Sequence, residues 1–477
     1  MLITIFIDLQ FEWVKNTYQV LLILILFFLL GRDLKSNFIL IATVVFATFF
    51  FVTLVQSTPS LANNSFRFTK PFPVPKNSSL PRLIHIILDE HIGIDGIPTG
   101  ISGGKALQEN LIDFYHTYGF RLFPSAFSHY FQTYDSIPSL LNFSADNDQQ
   151  TNILPNISGK NHTLLRNTYF EILAKTGYHI NVLAPQFIDY CVHSPTPIHN
   201  CYTYNSFEMK AVIDLEITVS QKVGLLLSRY FSESYLKNFI VKKHYQNMRV
   251  VGTKLFGISL PPWSWESSES SLRMHSINTM HILNNLGESI LAIPPGNAFF
   301  VHLLFPHYPY IAHADCSIID PMAWKDRYID KTNPRVGNTV ESRKVRYQLY
   351  FDQLSCLYSR LDELFKQMQA SRIYDDSIII IHGDHGSRIS IREPLVSNRD
   401  VLTDEDIIDG FSTLFAVKMP GKAWDYDSSP LPLEQLMADV ATELTGVSQT
   451  FGQDRPAKFV YLQDKKKLLP FPFPGAQ

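Results

Sequence analysis

The feature that most constrains the fold is a run of four isoleucines, Ile378 to Ile381, which ends in His382-Gly-Asp384-His385-Gly386. An unbroken β-branched run of this length is typical of a strand buried on both faces, as in the middle of a parallel sheet. In open α/β sheets, ligands bind just beyond the carboxyl ends of such strands. The run therefore predicts a central strand that delivers polar side chains to a ligand site.

The residues that follow this strand offer the ligand atoms of a divalent metal. Asp384 supplies a carboxylate oxygen and His385 an imidazole nitrogen, and both donors bind zinc and similar ions. Gly383 and Gly386 flank them and would let the backbone turn sharply and approach a ligand closely. The alternative is a plain polar turn after a core strand. We favour a metal site, because a second strand of the same kind lies upstream.

Two other strand-like segments also run into polar residues. Pro81–Leu88 leads into Asp89 and Glu90, and a strand that begins at Asn297 contains His302 and leads to His307. If the three strands are neighbours, their ends meet at one edge of the sheet.

We predict a divalent metal at this edge. Mixed carboxylate and imidazole ligands favour Zn²⁺ or Mn²⁺, whereas a site lined wholly by oxygen would favour Ca²⁺ or Mg²⁺. The predicted metal ligands are Asp89, Glu90, Asp384, His385 and Thr133.

Helical and strand-like segments alternate along the chain, which predicts an α/β fold with a mostly parallel central sheet flanked by helices. This domain is expected over residues 81–465, with a mainly helical insertion at 205–260. Residues 57–80 read as a linker and 466–477 as a C-terminal tail.

Composition limits the partners. The 477 residues include 41 basic and 44 acidic ones, which gives a net charge of −3. Without a basic excess or a recognisable motif, we expect no nucleic-acid partner. The even number of four cysteines favours two disulfides in an oxidising compartment, with Cys191 and Cys201 as the natural first pair; four free core thiols are the alternative.

The first 56 residues are predicted to be a membrane anchor with two transmembrane helices. Residues 18–31 and 38–55 are apolar, and the second stretch is close to the roughly 20 residues that cross a bilayer. Arg32 and Lys35 in the short connection place it in the cytoplasm by the positive-inside tendency. We therefore expect a cell-membrane protein, in the inner membrane of a host with two, whose catalytic domain faces the periplasm or the exterior.

A nucleophile is available in the loop over residues 120–136, which is rich in hydroxyls. Thr133 and Ser136 stand just before a helix that we expect to begin at Ile137, with Pro138 in its first turn. A helix N-terminus favours an anionic substrate.

The order of these motifs resembles the sulfatase and alkaline phosphatase superfamily. Its members have a first strand that ends in an acidic metal ligand, a hydroxyl or thiol nucleophile some forty residues later, and a late strand that ends in Asp-His-Gly. The matching residues span about residues 81–450 and are Asp89-Glu90, Thr133 or Ser136, and Asp384-His385-Gly386. The resemblance implies the alkaline phosphatase-like fold and metal-dependent chemistry on phosphate or sulfate esters.

The nucleophile loop most resembles that of the membrane phosphoethanolamine transferases. In these enzymes and in lipoteichoic acid synthases, a threonine nucleophile lies three residues before a serine, as Thr133 does before Ser136. Phe305–Pro309 also resembles a GNHGP-like segment of the phosphoethanolamine enzymes. True sulfatases instead carry C/S-x-P-x-R, whereas this chain has leucine at position 140, where the arginine should stand. The relatives usually have more membrane spans than two.

The resemblance implies that Thr133 attacks a phosphodiester and forms a phosphothreonine, which water or an acceptor hydroxyl then resolves. Ser136 is the rival nucleophile. His307, and after it His302, would protonate the leaving group, orient the acceptor or hold a second metal; a core histidine with satisfied hydrogen bonds is the alternative for His302. In the phosphoethanolamine enzymes, the single acid after the first strand matches Asp89 best, which leaves Glu90 as a candidate to support the metal ligands.

Three functions follow in order of preference. The first is transfer of a phospho-group of the phosphoethanolamine type from a membrane lipid to a surface glycan or lipid. The second is hydrolysis of sulfate or phosphate esters at the same metal site. The third is an inactive binding protein, which the intact set of Asp89, Thr133, Asp384 and His385 disfavours.

Overall fold

The structure is a computed structural model. It describes residues 70–74, 79–145, 153–155, 162–192, 194–204, 209–219, 221–222, 225, 267–320, 338–449, 458–464 and 467–474. Residues 67–216 and 272–477 form one compact unit, which holds nearly all of the described elements. Residues 1–66 and 217–271 form a second unit, of which few residues are described.

The predicted membrane anchor, residues 1–56, lies outside the described residues, as do most of the linker at 57–80 and most of the insertion at 205–260. Within the described ranges, no helix combines the length and apolar character needed to cross a membrane.

The described helices, in chain order, vary from six to 31 residues in length. They are α1 (Gly104–Thr117), α2 (Thr133–Leu141), α3 (Thr168–Thr176), α4 (Met209–Asp214), α5 (Ser267–Leu291), α6 (Val340–Ala370), α7 (Asp404–Phe411) and α8 (Leu433–Thr445). Short 3₁₀ turns cover Ile94–Gly96 and Val396–Val401.

The described strands belong to one large and two small sheets. They are β1 (Arg82–Leu88), β2 (Arg121–Phe123), β3 (Ile153–Pro155), β4 (His162–Leu164), β5 (His179–Pro185), β6 (Ile188–Asp189), β7 (Ile198–Tyr204), β8 (Asn297–Leu303), β9 (Ser377–Gly383), β10 (Phe415–Lys418), β11 (Asp425–Tyr426), β12 (Phe459–Asp464) and β13 (Lys467–Pro472).

The large sheet has eight strands in the order β11-β2-β10-β9-β1-β8-β5-β7. The run β9-β1-β8-β5-β7 is parallel throughout, whereas β10 pairs antiparallel with both of its neighbours. The predicted α/β fold with a mostly parallel central sheet flanked by helices is confirmed for the described residues.

The isoleucine run forms β9, which lies between β1 and β10 in this sheet. All four isoleucines are buried. Ile378 and Ile380 belong to the apolar core that includes residues of α2, α3 and α8, and the alternate Ile379 and Ile381 point to the opposite face. A strand covered on both faces needs apolar residues at every position, which explains why the run is unbroken.

The predicted start of one helix differs from the structure. α2 begins at Thr133, four residues earlier than expected, so Pro138 lies inside the helix. The backbone N–H groups of Asp135 and Ser136 both donate to the Gln132 carbonyl and so close the first turn ahead of the proline. Helix α3 begins at Thr168, after residues 162–164, which pair with β3 and β6 as a strand.

The last strands of the chain extend past the predicted domain. Strand β10 begins at Phe415, after helix α7 has ended at Phe411. The strand at β12 joins β13 in a separate two-stranded sheet, and β13 lies within the expected C-terminal tail.

Buried histidines beneath the sheet edge couple stability to pH. Burial lowers the pKa of His91 and that of His382 to about 4, and burial followed by repulsion from His382 places the pKa of His85 well below 6.5. The rings stay neutral in the fold: His382 Nδ1 donates to the Gly383 carbonyl at 2.6 Å, and its Nε2 lies 2.7 Å from His85 Nε2.

We expect the free energy of unfolding to fall as the pH drops below 6.5. The unfolded chain then binds protons on histidines that stay neutral in the folded protein. Each such histidine lowers the free energy of unfolding by about 1.4 kcal/mol per pH unit. Urea unfolding at several pH values in metal-free buffer measures this slope. The variant His91→Gln should flatten the slope by about one proton, and an unchanged slope would contradict the assignment.

Candidate metal and nucleophile site

The topology of the sheet brings three predicted residues to one edge. Leu88, the last residue of β1, pairs with Leu303 of β8 on one side and Gly383 of β9 on the other. Because the three strands are parallel and in register, the residues at their ends emerge together. Asp89, His302 and Asp384 meet there, although they are up to 295 positions apart in the sequence.

These three side chains form a candidate metal site. One ligand atom from each lies within 4.8 Å of the other two, and the side chains are at most 2% exposed. Asp89 Oδ1, His302 Nε2 and Asp384 Oδ2 are buried without a hydrogen-bond partner. Buried polar atoms are normally paired, and two buried carboxylates repel each other. A divalent cation among them would satisfy all three atoms, so the residues present fit a metal.

His385 and Thr133 lie next to this cluster. His385 Nε2 is 3.2 Å from Asp384 Oδ2 and 3.9 Å from Asp89 Oδ1. Its Nδ1 donates to the Gly386 carbonyl at 3.0 Å, so Nε2 carries the lone pair in the neutral ring. The Thr133 hydroxyl then donates to Nε2 across 3.2 Å. Thr133 is the first residue of α2, so the N-terminus of that helix faces the same place.

The charges of the cluster are unevenly distributed. Burial and then repulsion from Asp89 raise the pKa of Asp384. Burial alone would also raise the pKa of Asp89, but His307, His302 and His385 together bring it below 3.8. Asp89 therefore holds its negative charge more readily than Asp384, and both carboxylates lie where a cation is favoured.

Ser136 has a different position from Thr133. Its hydroxyl donates to the backbone carbonyl of Asp384 and accepts a hydrogen bond of 3.0 Å from the Ser128 hydroxyl. It therefore holds the backbone of the metal turn and does not point at the cluster. Of the two rival hydroxyls, that of Thr133 hydrogen-bonds to a side chain of the site, the His385 imidazole.

The structure does not bring the Glu90 carboxylate into the cluster. Glu90 adopts a left-handed backbone conformation with φ of 62°. Its backbone N–H donates to Asp384 Oδ1 at 3.1 Å, while Oε1 lies 3.5 Å from His307 Nε2 and 3.4 Å from Arg388 Nε. Glu90 therefore links the metal turn to His307, which lies on the far side of it and is partly exposed.

The two glycines of the turn are required by packing. A Cβ on Gly383 would lie 2.3 Å from Thr413 Oγ1, and one on Gly386 would lie 2.4 Å from the Asp409 carbonyl. The backbone of both glycines is closely approached, as expected, but by other residues of the chain. It fixes Asp384 and His385 between two crowded positions.

Sequence reasoning missed two residues of the site. Tyr190 contacts the His302 ring and Tyr204 contacts its backbone. No motif marks these tyrosines, and they lie about a hundred residues from His302 in the sequence, so only the fold reveals them. His302 itself was expected to protonate the leaving group, orient the acceptor or hold a second metal, and its place beside Asp89 and Asp384 follows from strand register.

No family model and no curated protein matches the chain. Solved structures do resemble it. The phosphonate monoester hydrolase of Agrobacterium radiobacter is 12% identical with a TM-score of 0.46, over 81% of this chain and 81% of that chain. The lipoteichoic acid synthase LtaP from Listeria monocytogenes is 13% identical with a TM-score of 0.41, over 82% and 85%. The periplasmic domain of EptC from Escherichia coli, in complex with Zn, is 12% identical with a TM-score of 0.45, over 83% and 96%.

Sulfatases also occur among the similar structures. Likeness at this level of identity and TM-score leaves the reaction to be argued from the residues of the site.

Proposed function

We propose that this protein is a membrane-anchored, metal-dependent transferase of a phospho-group. It would move a phosphoethanolamine-type group from a lipid donor to a surface glycan or lipid, with Thr133 as the nucleophile. The observation that carries the proposal is the Thr133 hydroxyl, 3.2 Å from His385 Nε2 and beside the cluster of Asp89, His302 and Asp384.

A divalent metal, for which Zn²⁺ or Mn²⁺ is favoured by the mixed carboxylate and imidazole donors, would be held by Asp89, Asp384, His385 and His302. When bound, such an ion polarises a phosphoryl oxygen and lowers the pKa of a hydroxyl next to it.

The residues of the chain supply the rest of the chemistry. The first turn of α2 fixes the Thr133 hydroxyl at the cluster and favours the negative charge of a phosphate. His307 lies behind Glu90 and is 14% exposed at its side chain, so its Nε2 can hold a proton for the leaving oxygen. Arg388 Nε lies 3.4 Å from Glu90 Oε1 and places a positive charge beside the same carboxylate.

The proposed location outside the cytoplasm has independent support. Cys191 bonds to Cys201 and Cys316 bonds to Cys356, so all four cysteines are paired. Structural disulfides persist in oxidising compartments. The anchor and the lipid donor remain parts of the proposal that rest on the apolar segments of residues 18–31 and 38–55.

Hydrolysis of phosphate or sulfate esters is the second candidate, because the same residues serve when water resolves the intermediate. The two are separated by incubating the full-length, metal-loaded protein with a phosphoethanolamine lipid, with and without an acceptor glycan. Acceptor-dependent labelling of the glycan supports transfer, whereas release of the free group at the same rate in both supports hydrolysis. Absence of any covalent adduct on the protein would contradict both.

Metal binding is expected to strengthen as the pH rises. Burial alone would lower the pKa of His385, but Asp384, Asp89 and Glu90 raise it above 6.5. In the metal-free protein, the ring therefore keeps its proton to a higher pH than a free imidazole does, and the metal must displace that proton. Below that pKa, the affinity for Zn²⁺ should rise about tenfold per pH unit. Competition with a chelating dye measures this, and a pH-independent affinity would count against His385 as a ligand.

A further inference from the structure

Tyrosine hydroxyls contact both the ring and the backbone of His302. Its ring nitrogen Nδ1 lies 3.1 Å from the Tyr190 hydroxyl, while Nε2 faces the carboxylates without a hydrogen bond, 3.8 Å from Asp89 Oδ2. A phenol oxygen that accepts the Nδ1 proton leaves the Nε2 lone pair directed at the cluster. Tyr190 is 2% exposed, so this contact lies inside the protein.

The backbone of His302 is held as well. The β5–β8 pairing ends at Leu183 and Val301, so the next groups of β8 on that side have no strand partner. The Tyr204 hydroxyl replaces that partner. It donates to the His302 carbonyl at 2.9 Å and accepts from the Leu304 N–H at 3.2 Å. The strand end that carries His302 is thus fixed on both sides of the residue.

The two tyrosines flank one covalently closed segment. Tyr190 directly precedes Cys191, and Tyr204 follows Cys201 by three residues; these cysteines form a disulfide. Asp189 Oδ1 accepts from the N–H groups of Cys191 and Val192 at 2.8 and 3.0 Å, which fixes the turn after Tyr190. Cys201 is exposed and Cys191 is partly exposed, so this bridge is accessible to reductants.

We propose that Tyr190 and Tyr204 are positioning residues that hold His302 as a metal ligand, and that the Cys191–Cys201 disulfide keeps them in place. The inference rests on the proposed metal-dependent function and adds to it a link between the oxidation state of this bridge and metal affinity. Loss of the bridge would remove the covalent link between the turn after Tyr190 and strand β7, which carries Tyr204.

The test measures Zn²⁺ affinity of the full-length protein by competition with a chelating dye. Tyr190→Phe removes one oxygen and should lower the affinity about 10–100-fold, the usual effect of losing a partner of a ligating histidine. Tyr169→Phe is the matched control, because the Tyr169 hydroxyl makes a similar contact of 3.3 Å to His85 Nδ1, outside the cluster. The control should bind Zn²⁺ like the wild type.

Two further measurements separate positioning from general destabilisation. His302→Asn should lose as much affinity as Tyr190→Phe or more, and the double variant should lose no more than His302→Asn alone, because the tyrosine acts through the histidine. The variant Cys191→Ala/Cys201→Ala should weaken Zn²⁺ binding in the same direction as Tyr190→Phe, and Co²⁺ absorption should report a changed ligand set in each.

The outcomes distinguish this inference from the function on which it rests. Wild-type affinity in Tyr190→Phe, or additive losses in the double variant, would overturn the positioning role while Asp384→Asn still abolished binding. Wild-type affinity in Asp384→Asn would overturn the metal site itself. Wild-type affinity in the cysteine variant would remove the disulfide from the inference.

Discussion

Replacement of Thr133 with alanine is expected to abolish turnover and the covalent intermediate together. The Thr133 hydroxyl is the one that contacts His385 at the candidate site, and removal of a nucleophile costs on the order of 10³-fold in rate or more. Thr133→Ser keeps a hydroxyl at the start of α2 and should retain the adduct. Mass spectrometry of the protein after a donor-only incubation measures adduct formation directly.

Ser136→Ala is the rival variant in the same experiment. Its hydroxyl supports the Asp384 carbonyl, so its loss should lower stability and metal affinity while a phosphothreonine still forms. An adduct that persists in Thr133→Ala and disappears in Ser136→Ala would reverse the assignment of the nucleophile.

The second large effect is expected from Asp384→Asn. This change removes one charge from the cluster and should lower Zn²⁺ affinity by more than the roughly 10–100-fold that loss of a supporting residue costs. Activity should fall with it. Asp376→Asn, an exposed residue directly before the same strand, makes the same chemical change away from the cluster and should leave both quantities unchanged.

Thermal unfolding tests Asp384→Asn in a second way, by comparing its stability with that of the wild type without and with Zn²⁺. Without metal, Asp384→Asn should be no less stable than the wild type, because burial and repulsion from Asp89 already disfavour the Asp384 charge. With Zn²⁺ at about 100 times its dissociation constant, the wild type should gain about 2.7 kcal/mol, or on the order of 5 °C. The variant should gain little, and an equal gain in both proteins would contradict Asp384 as a ligand.

The apolar pattern of the sequence was sufficient to predict two of the strands that carry the site. The isoleucine run of β9 and the apolar segment of β1 each have the unbroken pattern of a doubly covered strand, and each ends in a carboxylate. Because parallel strands in register deliver their ends to one edge, Asp89 and Asp384 were expected to meet if these strands are neighbours.

Side-chain direction needed the tertiary structure. Asp89 and Glu90 are adjacent in the sequence and chemically alike, yet the left-handed backbone of Glu90 sends its carboxylate to His307 and Arg388. Thr133 and Ser136 are three positions apart, but the early start of α2 assigns one hydroxyl to His385 and the other to a backbone carbonyl.

The sequence by itself thus determined which strands carry the site and which residue types lie at their ends, since burial and strand period are local properties. The tertiary structure decided which of those side chains face one another, which hydroxyl lies at the cluster and that Tyr190 and Tyr204 hold His302. Those contacts depend on strand register, helix start and backbone φ, which are fixed by packing between segments far apart in the chain.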